Sequence, residues 1–365
     1  MSVRVGVVGT GWGAGVQVPA FRAAGLEVTA LWARSEEKAR AKAGELGIGF
    51  ATDDWRRLVE HPAVDLVTVT TPPHTHHEIS VAALAAGKHV LCEKPFALDA
   101  REAAEMAGAA RARADRLALV DHELRFVPVR RRLRELVAGG FVGELRTVEL
   151  TVWSPMRLDP ERRWDWWSDA AAGGGILGAL GSHHVDFVQW LTGRRVEAVS
   201  ARLGTIHREL ADERGERRAV TADDVASIEL WLAGGAGGHL LLDTGVAAPP
   251  VERLRLSGTG GTLVLENGVL RGQEAGTRED REIARPDEEL PAGLRANSDF
   301  HRGTLWLGRA LAAALGEGRT EALADAATFE DGLAVQRVLD AARESARRGG
   351  RVEVAAAEPA AGTPR

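Results

Sequence analysis

The first residues with recognisable chemistry are Gly9-Thr10-Gly11-Trp12-Gly13-Ala14, a G-x-G-x-x-A run directly after the apolar stretch Val3 to Val8. In this pattern Gly9 allows a tight turn, Gly11 lets a pyrophosphate approach the backbone, and Ala14 lets a helix pack closely on a strand. The anion then rests on free N–H groups at the helix N-terminus. Trp12 and Gly13 lie inside the run and join these three as candidate cofactor contacts. A glycine-rich turn of another α/β fold reads the same way in isolation. Position argues for the dinucleotide: the run begins at residue 9, follows a strand and opens a helix.

About 20 residues further on, a carboxylate would take hydrogen bonds from the ribose 2′-OH of NAD, whereas an arginine suits the 2′-phosphate of NADP. The residues there are Leu31-Trp32-Ala33-Arg34-Ser35, with no carboxylate before Glu36 and with Lys38 one turn past Arg34. Arg34 can pair with a phosphate bidentately and Ser35 can donate to it. The sequence therefore favours NADP over NAD, with Arg34 on the adenine or in solvent as the alternative.

The elements that must position this loop are legible from residue 1 to about 125. Val3–Val8, Leu26–Trp32, Val64–Thr70, His89–Leu91 and Leu117–Val120 are apolar without polar alternation, as strands covered on both faces are. Helical segments lie between them, which is the pattern of βαβ units and a parallel sheet. Pro19 fits the first turn of the first helix. Another helix runs from Ile79 to a stop at Gly87, and Asp99 with Glu102 has capping-box spacing.

Beyond residue 126 the strands lengthen and alternate, as in Glu144–Val152, Val196–Ile206, Val225–Trp231, His239–Asp243 and Arg253–Ser257. Alternation implies a sheet with one solvated or partner-covered face. His207 to Arg218 and Arg271 to Arg295 read as loops, Ala322 to Arg347 as a helical block, and 355–365 as a flexible tail. The expected organisation is a domain over 1–125, a second α/β domain over 126–350, and that tail.

Composition excludes several functions. The 365 residues carry 46 Lys+Arg against 52 Asp+Glu, a net charge of −6 that gives no field favouring nucleic acid or anionic lipid. One cysteine, Cys92, excludes an intramolecular disulfide and fits a reducing compartment. No apolar run reaches the roughly 18–20 residues a membrane span needs, and the start lacks a basic leader, so a cytoplasmic chain is expected. The absence of tyrosine removes that group as an acid or base. His74, His76 and His77 resemble metal-ligand material, but no metal is expected. Arg130, Arg131, Arg132 and Arg134 read as a solvated helix face, and Trp164, Trp166 and Trp167 as either an aromatic pocket wall or core.

Thr71-Pro72-Pro73-His74-Thr75-His76 and Ala85-Ala86-Gly87-Lys88-His89-Val90-Leu91-Cys92-Glu93-Lys94-Pro95 together resemble the Gfo/Idh/MocA family of oxidoreductases. Arg125-Phe126, Gly173-Gly174-Gly175, Gly181-Ser182-His183-His184-Val185-Asp186 and Phe329-Glu330-Asp331-Gly332 extend the resemblance along most of the chain. It implies a Rossmann domain followed by an α/β domain with an open, mainly antiparallel sheet whose exposed face assembles homo-oligomers. It also implies a nicotinamide cofactor and a hydride exchanged with a sugar, cyclitol or other polyol. Hydrolysis or elimination at a glycoside through transient oxidation, and a non-catalytic NADPH-binding regulator, are the rival functions.

Glu93 and Lys94 match the family's signature pair. A lysine at a strand's carboxyl end can stabilise a developing alkoxide, and Pro95 would hold it extended. His183 matches the acid/base histidine, whose ordinary pKa of about 6.5 suits proton exchange near neutrality; a buried structural histidine is the alternative. Thr71, Pro72 and His76 match the cofactor side. One departure stands out: Ala179 occupies the place of the aspartate that members with an Asp-x-x-x-His arrangement carry one turn earlier. Asp186 is the first candidate to replace it, with Asp121 and Asp169 behind; Arg125 and Trp164 complete the expected substrate contacts.

Overall fold

The computed structural model describes residues 2–286, 290, 291, 294 and 298–356. Six parallel strands form the first sheet: β1 (Arg4–Val8), β2 (Glu27–Trp32), β3 (Phe50–Thr52), β4 (Leu66–Val69), β5 (His89–Cys92) and β6 (Ala118–Val120). Their spatial order is β3-β2-β1-β4-β5-β6, so the chain reverses direction across the sheet between β1 and β4. Such a switch point leaves a crevice outside the strands' carboxyl ends. Helices α1 (Val18–Ala23), α2 (Glu36–Leu46), α3 (Trp55–Val59), α4 (His76–Ala85) and α5 (Ala100–Ala112) connect the strands. The β3 strand escapes the sequence reading because three residues carry too little periodicity to register. Asp99 accepts from the Glu102 N–H, but the Glu102 carboxylate takes the Leu98 N–H, so the expected capping box is only half formed.

After α6 (Pro128–Ala138) comes a nine-stranded second sheet built from β7 (Leu145–Trp153), β8 (Val196–Gly204), β11 (Val225–Leu232), β12 (Gly237–Asp243), β13 (Val251–Gly258), β14 (Gly261–Glu266), β15 (Val269–Glu274), β16 (Arg281–Ala284) and β18 (Val352–Glu353). All neighbours are antiparallel except β7 with β12. Val148, Leu150, Ile228, Leu240, Leu254 and Leu256 point inward onto α7 (Ser182–Thr192) and α9 (Phe329–Arg348). Glu149, Glu229, Arg253 and the exposed Trp153 lie on the alternate positions of those strands, leaving the second face open.

Three expectations need correction. The stretch 207–218 holds a hairpin, β9 (Glu209–Ala211) with β10 (Arg217–Ala219). Residues 271–274 and 281–284 are strand, while 287–289, 292–293 and 295 of that stretch lie outside the described residues, as does 357–365 of the expected tail. Short charged strands look like loops because one buried residue such as Leu210 is too little periodicity to read. Two later segments return to the first sheet. The segment β17 (Ala327–Thr328) pairs with β6, and α8 (Asp299–Leu311) sends Leu307 and Leu311 into the core around β1. Arg130, expected on a solvated face, is buried and paired with Asp299 and Glu252.

Candidate active site

A cleft of about 1110 Å³ opens at the switch point, between the carboxyl ends of β1, β4 and β5 and the Trp164–Gly173 segment of the second domain. Gly9, with φ of +132°, turns the chain out of β1; a Cβ there would lie 2.3 Å from Thr70 Oγ1. A Cβ on Gly11 would meet no protein atom within 4 Å, so the cleft space above this backbone is free for a ligand. A Cβ on Gly13 would fall 2.4 Å from Thr70 Oγ1 and 2.7 Å from Val7, which makes Gly13, rather than Ala14, the residue that permits close packing of helix on strand. Five residues of π-helix, Gly13–Gln17, then run into α1. The cradle thus fits a dinucleotide pyrophosphate: a bare backbone faces open cleft beside Trp12, at the start of a helical run.

Arg34 and Lys38 line the same cleft at the end of β2, both exposed, and among the described residues neither has an ion-pair partner. Ser35 is the N-cap of α2, its Oγ accepting from the Lys38 N–H at 3.3 Å, and it is outside the cleft lining. Thr71 and Pro72 form the opposite wall. His76 does not reach it. Fully buried, its ring bridges the Thr71 carbonyl at 2.8 Å and the Pro95 carbonyl at 3.0 Å, so it ties the Thr-Pro loop to the segment after β5. Burial pushes this imidazole down to about 4, against the pull of the two carbonyl acceptors, which favour its protonated form. His74 lines the cleft while His77 pairs with Glu105, and among the described residues no three His, Cys, Asp or Glu side chains could hold a metal ion.

Lys94 projects from the carboxyl end of β5, and its Nζ donates to the Ala179 carbonyl at 3.2 Å. The peptide it forms with Pro95 is cis. The main chain at Ala179 thus meets the ammonium where the resemblance leads one to expect a carboxylate. Beside Lys94 lies a buried acid cluster. Gln17 Nε2 donates to Glu93 at 3.1 Å and to Asp121 at 2.7 Å, and its own carbonyl accepts from Thr68 Oγ1 at 2.6 Å. Burial raises the pKa of Glu93, Asp121 and Glu123 alike, and the proximity of Asp121 adds to the rise at Glu93 and Glu123.

Several residues expected at the substrate are engaged by protein partners. Asp121 has 0 % of its surface exposed and is committed to Gln17. Asp186 is held bidentately by Arg125, at 2.8 Å and 2.5 Å, and both are buried outside the cleft lining; a bidentate pair satisfies both partners and leaves neither for a ligand. Asp169 lines the cleft but its Oδ1 accepts from the Ala171 N–H. Trp164 does line the cleft, its indole N–H donating to the Ala219 carbonyl at 2.9 Å and the Arg218 guanidinium stacked 3.6 Å from its ring. The Gly173–Gly175 run lets this segment fold tightly: a Cβ at Gly174 would sit 2.4 Å from the Trp167 carbonyl, and one at Gly173 would sit 2.6 Å from Pro73.

His183 is buried outside the cleft lining. It is 1 % exposed, packs against Phe300 and His122, and has both ring nitrogens without hydrogen bonds. Burial and the Lys94 charge hold its pKa well below the usual value. Glu123, which sequence reasoning missed, faces the cleft instead, with Oε2 3.8 Å from His183 Nδ1. Its signal was positional: a carboxylate three residues past a parallel strand, where such sheets bind ligands.

Glu123 titrates against Glu93, Lys94 and Asp121. A carboxyl whose folded pKa is raised above its ordinary 4.5 destabilises the fold as pH climbs through that window, because ionisation is easier in the unfolded chain. As the pH rises above that ordinary value the wild-type melting temperature should therefore fall more steeply than that of Glu123→Gln. Parallel curves would contradict the buried-acid assignment.

These features define a nicotinamide-dinucleotide oxidoreductase fold, and the comparisons agree. The family described as "Oxidoreductase family, NAD-binding Rossmann fold" (GFO_IDH_MocA) matches residues 3–122, and its C-terminal domain matches residues 130–264. The chain belongs to the Gfo/Idh/MocA family. It is 35 % identical over 97 % of its length to glucose-fructose oxidoreductase domain-containing protein 2 of Homo sapiens, of which the match covers 94 %. Among solved structures, an oxidoreductase domain protein from Kribbella flavida is 32 % identical with a TM-score of 0.86, covering 97 % of this chain and 100 % of that one. Levoglucosan dehydrogenase in complex with NADH and L-sorbose is 25 % identical with a TM-score of 0.86, covering 97 % and 99 %.

Proposed function

We propose that the chain is an NAD(P)-dependent oxidoreductase transferring a hydride between nicotinamide and a secondary alcohol or ketone of a sugar, cyclitol or sugar-derived metabolite. The observation that carries this reading is the convergence on one cleft of the bare Gly11 backbone, the Thr71-Pro72 wall and the Lys94 ammonium, with Glu123 and His183 within reach of its charge. When bound, the cofactor supplies or removes the hydride at its C4. Lys94 holds the substrate oxygen and stabilises the negative charge that develops on it. The buried acid and imidazole beside it manage the proton. The aromatic rim of Trp164, Trp166 and Trp167 suits a sugar-sized ligand with apolar ring faces. The fold of levoglucosan dehydrogenase, solved with NADH and a sugar, supports the substrate class.

NADP is the favoured cofactor, because Arg34 and Lys38 border the cleft and the residues at the end of β2 offer no carboxylate to a ribose 2′-OH. Arg34→Ala should weaken NADP binding roughly 10–100-fold, the worth of a charge-assisted contact, while barely changing NAD binding. Equal losses for both dinucleotides in a fluorescence titration would defeat this assignment. The open face of the second sheet suits a homo-oligomer, and a cytoplasmic setting accompanies the single free cysteine; among the described residues no helix is long and apolar enough to cross a membrane.

The direct test mixes the purified chain with NAD or NADP, oxidised or reduced, and a panel of polyols and keto sugars, following the nicotinamide absorbance. Substrate-dependent change supports the proposal. Product formation from a glycoside without net cofactor change would move the assignment to transient oxidation, and binding without turnover would make the chain a dinucleotide-binding regulator.

A further inference from the structure

Three carboxyl groups, Glu93, Asp121 and Glu123, sit in one buried patch with a single ammonium, Lys94. His122 and His183 adjoin them and are held neutral by burial. One cation balances one carboxylate, so the patch retains protons; three anions against one cation would be a costly buried charge excess. Among the described residues Asp121 Oδ1 and Glu123 Oε2 have no hydrogen-bond partner, whereas both Glu93 oxygens accept, from Gln17 and from the Lys94 N–H; Asp121 lies outside the cleft lining, so Glu123 is the acid of the three that borders the cleft with an unpartnered oxygen. Glu123 is also fixed in place. Gly303 of α8 presses on it so closely that a Cβ there would lie 2.4 Å from the Glu123 carbonyl oxygen and 2.9 Å from its Cγ.

We infer that Glu123 is the general acid of this site, delivering a proton to the substrate's carbonyl oxygen, with His183 a positioning residue behind it, and that the site is built for reduction. The inference rests on the oxidoreductase reading above and deepens it. Glu123 lines the cleft and His183 does not, and His183 Nδ1 lies 3.8 Å behind the Glu123 carboxyl oxygen Oε2. It also accounts for Ala179: the acid arrives from the end of β6 rather than from the turn preceding α7. The step balances. The carbonyl carbon accepts a hydride from the reduced dinucleotide, the C=O π pair takes the proton from Glu123, and the alcohol leaves beside an ionised Glu123, which regains its proton from water entering the cleft.

Two readouts test it. In infrared difference spectra of the chain without cofactor near neutral pH, the C=O stretch of a protonated carboxylic acid should be present in the wild type and lose intensity in Glu123→Gln. In turnover of a keto sugar with reduced dinucleotide, Glu123→Gln should lose on the order of 10²–10⁴-fold in kcat with unchanged dinucleotide affinity. Glu123→Ala should be partly restored by added formate, which a merely structural role would not allow. His183→Asn should lose less and should not respond to formate. An unchanged infrared band, or near wild-type turnover of Glu123→Gln, would overturn the assignment of Glu123 alone. A wild-type chain that binds the dinucleotide yet reduces no carbonyl sugar would overturn the oxidoreductase reading and this inference with it.

Discussion

Replacing Lys94 by alanine is expected to lower turnover by at least on the order of 10²–10³-fold while leaving dinucleotide affinity near the wild-type value. The reason lies in the company Lys94 keeps. An alkoxide developing at the substrate oxygen sits near Glu93 and Glu123, and Lys94 is the positive charge acting on both of them. Without it the oxyanion keeps the Glu123 proton donor but loses its positive charge, and the Ala179 carbonyl is an acceptor that can offer it no hydrogen bond. Stopped-flow reduction of a keto sugar separates the chemical step from binding, and Trp12, which lines the cleft, gives a fluorescence signal for the dinucleotide. Near-normal rates in Lys94→Ala would remove the ammonium from the mechanism.

The second large effect concerns stability. Arg125→Met removes one half of a buried bidentate pair and leaves the Asp186 carboxylate without its partner, a change that costs about 3–5 kcal/mol. The double variant Arg125→Met/Asp186→Leu should recover much of the loss, because a buried ion pair is often replaceable by apolar groups of similar volume. Chemical denaturation monitored by tryptophan fluorescence reads both. Had Arg125 bound substrate, the single variant would instead raise KM at unchanged stability.

The sequence carries the Rossmann half almost completely, because strands buried on both faces and the Gly9–Ala14 turn leave unbroken apolar runs with glycine punctuation. It carries the second domain less well. Strands β9, β10 and β16 are only three or four residues long and rich in charge, so their pairing leaves little periodicity to read, and the return of β17 to the first sheet is a long-range pairing with no local sign. The site divides in the same way. Gly9, Gly11, Arg34, Thr71, Glu93, Lys94 and Trp164 all border the cleft as their motifs suggest. Asp186, Arg125, Asp121 and His76 do not, since each is consumed by a partner distant in sequence: Arg125 by Asp186, Asp121 by Gln17, and His76 by the Thr71 and Pro95 carbonyls. Glu123 stayed hidden for the converse reason. Its apolar neighbours Leu124 and Phe126 mark core, and only the end-of-strand position distinguishes it.

The most direct trial of the central claim is a crystal structure of the chain with an oxidised dinucleotide bound. The pyrophosphate should lie on the Gly9–Trp12 backbone, with the nicotinamide C4 facing a point ~3–3.5 Å away that both Lys94 Nζ and the Glu123 carboxyl can reach by hydrogen bonds. A nicotinamide turned away from Lys94, or a dinucleotide seated elsewhere on the molecule, would contradict it.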